Sequence, residues 1–170
     1  SGTAPQVIVQ DSGSNANGGT LSLLSLGQAN FFYADQFRLG GQKGNGNVNF
    51  NAIFSNPSLV IRNVDQVSRS TQIAFGDNSF AASGNSTVAN IDLTAGSVDI
   101  RAGTVYVARG NPGGSTSTGQ ATATVGFAAG TFDINTLEVG YQTATGANGA
   151  TTGTLLVNNN GLVTNNNSLV

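Results

Sequence analysis

Apolar and polar positions alternate in short runs along this chain, and one arrangement recurs: an apolar residue, any residue, a second apolar residue, then glycine. It stands at Phe37-Arg38-Leu39-Gly40, Ile73-Ala74-Phe75-Gly76 and Leu137-Glu138-Val139-Gly140, and Val105-Tyr106-Val107, followed by Gly110, reads as another copy. The step from Leu39 to Phe75 is 36 residues, and the next two, to Val107 and Val139, are 32 each. A fifth copy opens at Leu169-Val170. Self-similarity at such a period marks a solenoid, in which no unit buries its apolar face alone and stacked neighbours build one continuous core.

In the second half, three runs of period two fill each repeat. Ile91-Asp92-Leu93, Val98-Asp99-Ile100 and Val105-Tyr106-Val107 form one set, and Val125-Gly126-Phe127, Phe132-Asp133-Ile134 and Leu137-Glu138-Val139 form the next. The last set is Leu155-Leu156-Val157, Leu162-Val163 and Leu169-Val170. Alternation of this kind turns one face to a core and the other to solvent, so each coil is predicted to hold three short strands. Gly96, Gly103, Gly130 and Gly161 fall between runs, where the chain must turn sharply. The Asn runs at 158–160 and 165–167 suit the same corners, because Asn tolerates the left-handed region and its amides stack along a ladder.

Stretches rich in Gly, Asn, Ser, Thr and Ala follow the recurring glycine at 41–48, 77–87, 111–120 and 141–153. They read as insertions on one side of the solenoid. Residues 36–170 are thus the β-solenoid repeats. Residues 1–35 read as an N-terminal cap or irregular first coil, with strands at Val7-Ile8-Val9 and 21–26, a polar stretch at 11–19 and the aromatic group Phe31-Phe32-Tyr33. Leu169-Val170 opens a repeat without a polar cap, which predicts continuation into a longer polypeptide or head-to-tail assembly into a fibre. The expected fold is all-β, a right-handed parallel β-helix (β-solenoid) of about five coils, its hand following the usual rule for parallel connections. A carbohydrate-binding β-sandwich would show antiparallel pairing between successive strands instead.

Composition supports strands and removes several chemistries. Charged residues are 8%, against a usual value of about 25%, while the chain holds 24 Gly, a single Glu (Glu138), a single Lys (Lys43) and no Met. The hydrophobic fraction of 38% and net charge of −2 argue against charge-driven disorder. Cys and His are both absent, so there is no disulfide framework and no thiolate or imidazole for a metal, a cofactor or a nucleophile–base dyad. With a pI near 4.6 and six scattered basic residues, no stripe for nucleic acid exists. No apolar run is long enough for a membrane-spanning helix, and no signal peptide stands at the N-terminus, so an exported protein would be a mature chain or an excised piece.

The stretch Thr-Phe-Asp-Ile-Asn-Thr-Leu-Glu-Val-Gly at 131–140, with Gly-Thr-Leu-Leu-Val-Asn-Asn-Asn-Gly at 153–161, resembles the β-strand repeats of large secreted bacterial surface proteins, the autotransporter passengers and related exported repeat proteins. The resemblance implies a parallel β-helix serving as an extracellular stalk or adhesive surface. It carries over no catalytic, cofactor-binding or metal-ligating residue. The partners it implies are other copies of the chain, neighbouring domains and extracellular glycans.

Asp99 in Ser-Val-Asp-Ile and Asp133 in Thr-Phe-Asp-Ile match as motifs, which predicts two carboxylates stacked on the outer face. A separation of about 5 Å suits a retaining glycosidase, the basis of an alternative reading as a polysaccharide-degrading enzyme. Arg101 lies on the same face as Asp99, and Asn135 offers one more oxygen for a weak calcium site, but solvated surface is the expected reading. The calcium-roll nonapeptide is missing. Tyr106 and Glu138 are expected at matching outward positions with Arg38 and Ala74, Tyr106 covering backbone, and Tyr141 and Tyr33 elsewhere in the repeat. Threonines at 115–118, 121–124 and 143–145 are assigned to insertions, which excludes a flat ice-binding array. Asn85-Ser86-Thr87 and Asn166-Asn167-Ser168 match the glycosylation acceptor, a pattern that chance supplies in such a composition.

Overall fold

A computed structural model of the protein describes residues 4–11, 21–41, 44–79, 86–110, 120–142 and 150–169. The fold is all-β, with 74% strand and no helix among the described residues. The strands are β1 (Gln6–Asp11), β2 (Ser22–Leu26), β3 (Ala29–Tyr33), β4 (Gln36–Gly41), β5 (Gly46–Phe50), β6 (Ser58–Arg62), β7 (Ser70–Asp77), β8 (Thr87–Leu93), β9 (Ser97–Arg109), β10 (Ala121–Tyr141) and β11 (Thr151–Leu169). All pairings among them are parallel, which removes the sandwich alternative.

The stacked coils make about four turns of a β-solenoid with three walls. The first wall stacks β2, β5, β8, residues 121–127 of β10 and 151–157 of β11. The second stacks β3, β6, the start of β9, residues 130–134 of β10 and 161–165 of β11. The third stacks β1, β4, β7, residues 104–109 of β9 and 136–141 of β10, with Ser168 and Leu169 over Thr136 and Leu137. Val139 lies directly over Val107, so residues 32 apart are vertical neighbours. The short strands expected within a coil run on without interruption in β10 and β11, because register shifts at Phe127/Ala129 and Ile134/Thr136 turn the corners without ending the ladder.

Inward residues form vertical columns. Val9, Leu39, Phe75, Val107 and Val139 make one, and Phe32, Ile61, Ile100, Phe132 and Val163 another. The rings of Phe127 and Phe132, from adjacent walls of one coil, stack at 4.5 Å and 8°.

The recurring glycine has a specific task. Gly40, Gly76 and Gly140 take φ of 66°, 72° and 70°, a left-handed residue that resets the alternation at the end of the third wall. In the Val105-Tyr106-Val107 copy that residue is Ala108, with φ 64°, and Gly110 lies two positions beyond.

The expected insertions are shorter than their composition suggested, and residues 42–43, 80–85, 111–119 and 143–149 lie outside the described residues, as do 12–20 of the N-terminal polar stretch. Val48 is a core residue of β5, and Thr87 and 151–153 belong to strands. Gly46, Ala89, Ala123 and Gly153 form a vertical column of small residues. A side chain at Gly46 would begin 3.0 Å from the Gly40 nitrogen, and one at Gly153 would begin 2.6 Å from the Gly140 nitrogen. Close approach to the left-handed corner therefore demands small residues there, which in sequence look like loop.

Candidate functional site

The arginines gather with Asp77, Asp99, Asp133 and Glu138 in two clusters on the outward side of the walls. Asp35, Asp65 and Asp92 instead accept hydrogen bonds at turns. On the second wall, register sets Asp99 beside Thr131 and Asp133 beside Arg101, so the expected stack of Asp99 and Asp133 does not form. Motif likeness aligned residues 34 apart, whereas the ladder joins residues 32 apart. Arg62, only 5% exposed, donates from Nη1 to the Ile61 carbonyl at 2.9 Å and the Asp99 carbonyl at 2.6 Å, and pairs through Nη2 with the Asp99 carboxylate. Arg69, from the turn after β6, pairs with Asp133 Oδ1 at 2.5 Å, and Arg101 Nε lies 3.8 Å from Oδ2. Asn166 Nδ2 donates to Asp133 Oδ1 at 3.1 Å and to the Ile134 carbonyl at 3.0 Å.

Partial burial works against the charge on Asp133, but hydrogen bonds from Arg69 and Asn166 and the charges of Arg69 and Arg101 outweigh it. Its pKa falls below the ordinary carboxylate value. Such a group stays ionised at neutral pH and is no proton donor. Among the described residues no three acidic, His or Cys side chains gather around a common point, so the premise of a shared calcium site, two stacked carboxylates with Asn135 beside them, fails with the register. Asp99 is 54% exposed, so solvent screens its pair. Asp99→Asn is accordingly expected to cost about 1 kcal/mol, an apparent fall in Tm of roughly 2–4 °C by thermal melting, because Arg62 keeps its two carbonyl acceptors.

On the third wall, Ile8, Arg38, Ala74, Tyr106 and Glu138 form one vertical series, the last four as expected. Past the left-handed corner, Asp77, Arg109 and Tyr141 form another. Tyr141 stands elsewhere in the repeat than Tyr106, as expected, in register with Arg109, yet its ring meets that of Tyr106 across the corner, 5.7 Å apart at 46°. Subtracting 32 from 141 gives Arg109, so the spacing contained this contact; the corner that folds it toward Tyr106 was the missing piece. The Arg109 guanidinium sits 4.5 Å from the Tyr106 ring centre, and Arg38 Nε lies 4.0 Å from Oδ2 of the fully buried Asp77. Under this cover Ala74 is inaccessible to solvent. Since Arg109 occupies one face of Tyr106, the cluster works as a lid over the wall more than as an open aromatic platform for sugar.

Burial raises the Tyr106 pKa, with Glu138, Tyr141 and Asp77 adding to the rise and Arg109 opposing it. Burial likewise raises Glu138, again against Arg109, and its Oε2 is shielded without a hydrogen-bond partner. A carboxyl raised in the fold contributes stability that is complete below its unfolded pKa and is lost as pH rises through the folded value. Glu138→Gln is therefore expected to melt higher than the parent at pH 7 and to lose that advantage near pH ~3, where both side chains are neutral.

Two open clefts mark the surface. One of about 280 Å³, between the first and second walls, runs from Asn56 and Pro57 past Ala128 and Ala129 to Asn159 and Asn160. The other, about 200 Å³, is the dent left by Gly126 between Asp92 and Leu156. Both fall below the usual range for ligand pockets, ~300–1,000 Å³. Thr122 and Thr124 lie on β10 beside Thr152 and Thr154 of β11, not in an insertion, but the next strand carries Val88 and Asn90 at those places and the array stops at two strands. Residues 115–118, 143–145 and Asn85 lie outside the described residues. Asn166 of the second acceptor pattern has its amide nitrogen engaged.

No protein-family model matches this chain, and no curated protein or solved structure is significantly similar to it.

Proposed function

We propose that this chain is a non-catalytic structural or adhesive segment of a secreted or cell-surface protein, a right-handed rod whose outer walls make weak contacts with glycans. The observation that carries the reading is the pairing of its carboxylates: Asp99 and Asp133 face arginines of their own and stand on different rungs, out of vertical register with one another. Retaining and inverting glycosidases both need two carboxyl groups flanking one bond, with one of them able to give a proton. Unbroken parallel ladders and vertical apolar columns supply stiffness along the rod.

Incubation with a panel of acidic and neutral polysaccharides tests this. Weak retention without product is expected. Turnover that disappears in Asp99→Asn would overturn the proposal in favour of an enzyme.

A further inference from the structure

The two open clefts are neighbours, because Thr94 lines both. In the smaller one, on the first wall, the outward series Ser25, Asn49, Asp92, Gly126 and Leu156 lacks a single side chain, at Gly126. The surroundings of that gap are fixed by hydrogen bonds. Asp92 Oδ1 accepts from the Thr94 nitrogen at 3.1 Å and from Thr94 Oγ1 at 2.6 Å, so the hydroxyl turns to the carboxylate. The Thr94 methyl is left to the dent, 3.5 Å from where a Cβ on Gly126 would stand, and Leu156 Cβ on the next rung lies 3.9 Å from the same point. Apolar carbon therefore flanks the dent, and Asp92, Asn90 and Thr124 bring polar groups to it. Past Thr94, the larger cleft is lined by the small Ala128 and Ala129, with the exposed Asn56 and Asn159 at its two ends. Both of these asparagines hold the left-handed conformation, with φ of 51° and 50°.

We propose that the two clefts form one groove for a neutral oligosaccharide, with one sugar unit in the dent at Gly126 and the next at the corner. This rests on the glycan-contact reading above and names its site and ligand class. A sugar ring presents C–H faces and hydroxyl edges, so it is held where apolar carbon and hydrogen-bonding groups stand side by side. The Thr94 methyl and Leu156 supply the carbon. Asp92, an exposed residue with Oδ1 engaged, offers Oδ2 as an acceptor, and the amides of Asn90, Asn56 and Asn159 can both donate and accept. Charge selects the class of glycan. Among the described residues lining the two clefts Asp92 alone is charged, so a chain of acidic sugars meets repulsion with no cation to offset it. Each cleft is small and open, which keeps either contact weak, but a chain seated in one meets the other at high effective concentration.

Heteronuclear NMR titration with cellohexaose, maltohexaose and mannohexaose, and with hexagalacturonate as the acidic probe, tests this. A neutral probe should shift the amides of Thr94, Gly126 and Ala129 together, and hexagalacturonate should not. Gly126→Leu, which fills the dent, should keep the parent circular dichroism and weaken that binding about tenfold or more, with Gly126→Ala losing less. Asn159→Gly keeps the left-handed corner accessible and removes one amide, so it should weaken binding as well and carries the test should Gly126→Leu not fold. Phe31→Ser, at a 57% exposed position on the second wall, should bind as the parent does. The groove is overturned by neutral-probe shifts confined to other residues, by binding that survives Gly126→Leu and Asn159→Gly, by loss in Phe31→Ser, or by hexagalacturonate bound equally well. Each of those outcomes leaves the glycan-contact reading in place. Absence of binding by every neutral probe overturns the groove and the glycan contact together, whereas turnover of a probe that is lost in Asp99→Asn overturns the structural reading on which the groove rests.

Discussion

Phe127→Ala is expected to cost about 3–5 kcal/mol and to lower Tm by roughly 6–20 °C, read by chemical and thermal denaturation. Phe127 is inaccessible to solvent, lies between Leu93 below and Val157 above, and stacks on Phe132 of the adjacent wall. Alanine there removes a ring that touches two walls and two neighbouring rungs, and β strands held by ladder bonds cannot collapse inward to fill the space. In a solenoid each rung contacts only its neighbours, so the loss also weakens the coupling of β11 to the rest. Hydrogen exchange should then show β11 opening before β7 and β9, while Leu156→Ala, at a half-exposed outward position, changes stability by under about 1 kcal/mol. A cost for Phe127→Ala no larger than that of Leu156→Ala would mean that the ring is not part of a continuous core.

The vertical architecture was legible because it needs only a period. A spacing of 32 put Val139 over Val107, Leu137 over Val105 and Glu138 over Tyr106, as found. The same number, applied to Asp133, leads to Arg101, and the motif Val/Phe-Asp-Ile misled because strand alternation makes any two such runs look alike. The polar chemistry was less legible for a second reason: Arg62 and Arg69 reach their partners from β6 and the turn after it, in coils whose spacing departs from 32. The third-wall cluster depended on a backbone feature. Only the left-handed residue at Gly40, Gly76, Ala108 and Gly140 decides that Asp77, Arg109 and Tyr141 come back to the side of Arg38 and Tyr106. Alanine in one of the four places hid the pattern, since an αL alanine is tolerated at modest cost and carries no mark in sequence.

The same distinction between tolerated and forbidden corners yields the largest effect expected of any single added methyl group. Gly130 has φ of 96°, outside the left-handed well that Ala108 occupies at 64° and in territory that glycine alone enters freely. A Cβ there would also begin 1.9 Å from the Val98 carbonyl oxygen and 2.6 Å from its nitrogen, inside the backbone of the rung beneath. Neither atom belongs to a movable side chain, so β9 and β10 must separate at the corner between the first and second walls. Gly130→Ala is expected to lose at least about 3 kcal/mol, from backbone strain of ~1–3 kcal/mol and the lost contacts of the separated rungs. Gly126→Ala supplies the comparison within the same strand: its new methyl would meet Thr94 Cγ2 at 3.5 Å and Leu156 Cβ at 3.9 Å, ordinary contacts, and it should stay within about 0.5 kcal/mol of the parent. Denaturant titration of the two variants side by side decides the matter. Equal midpoints would show that the second wall does not cross over Val98 as the register requires.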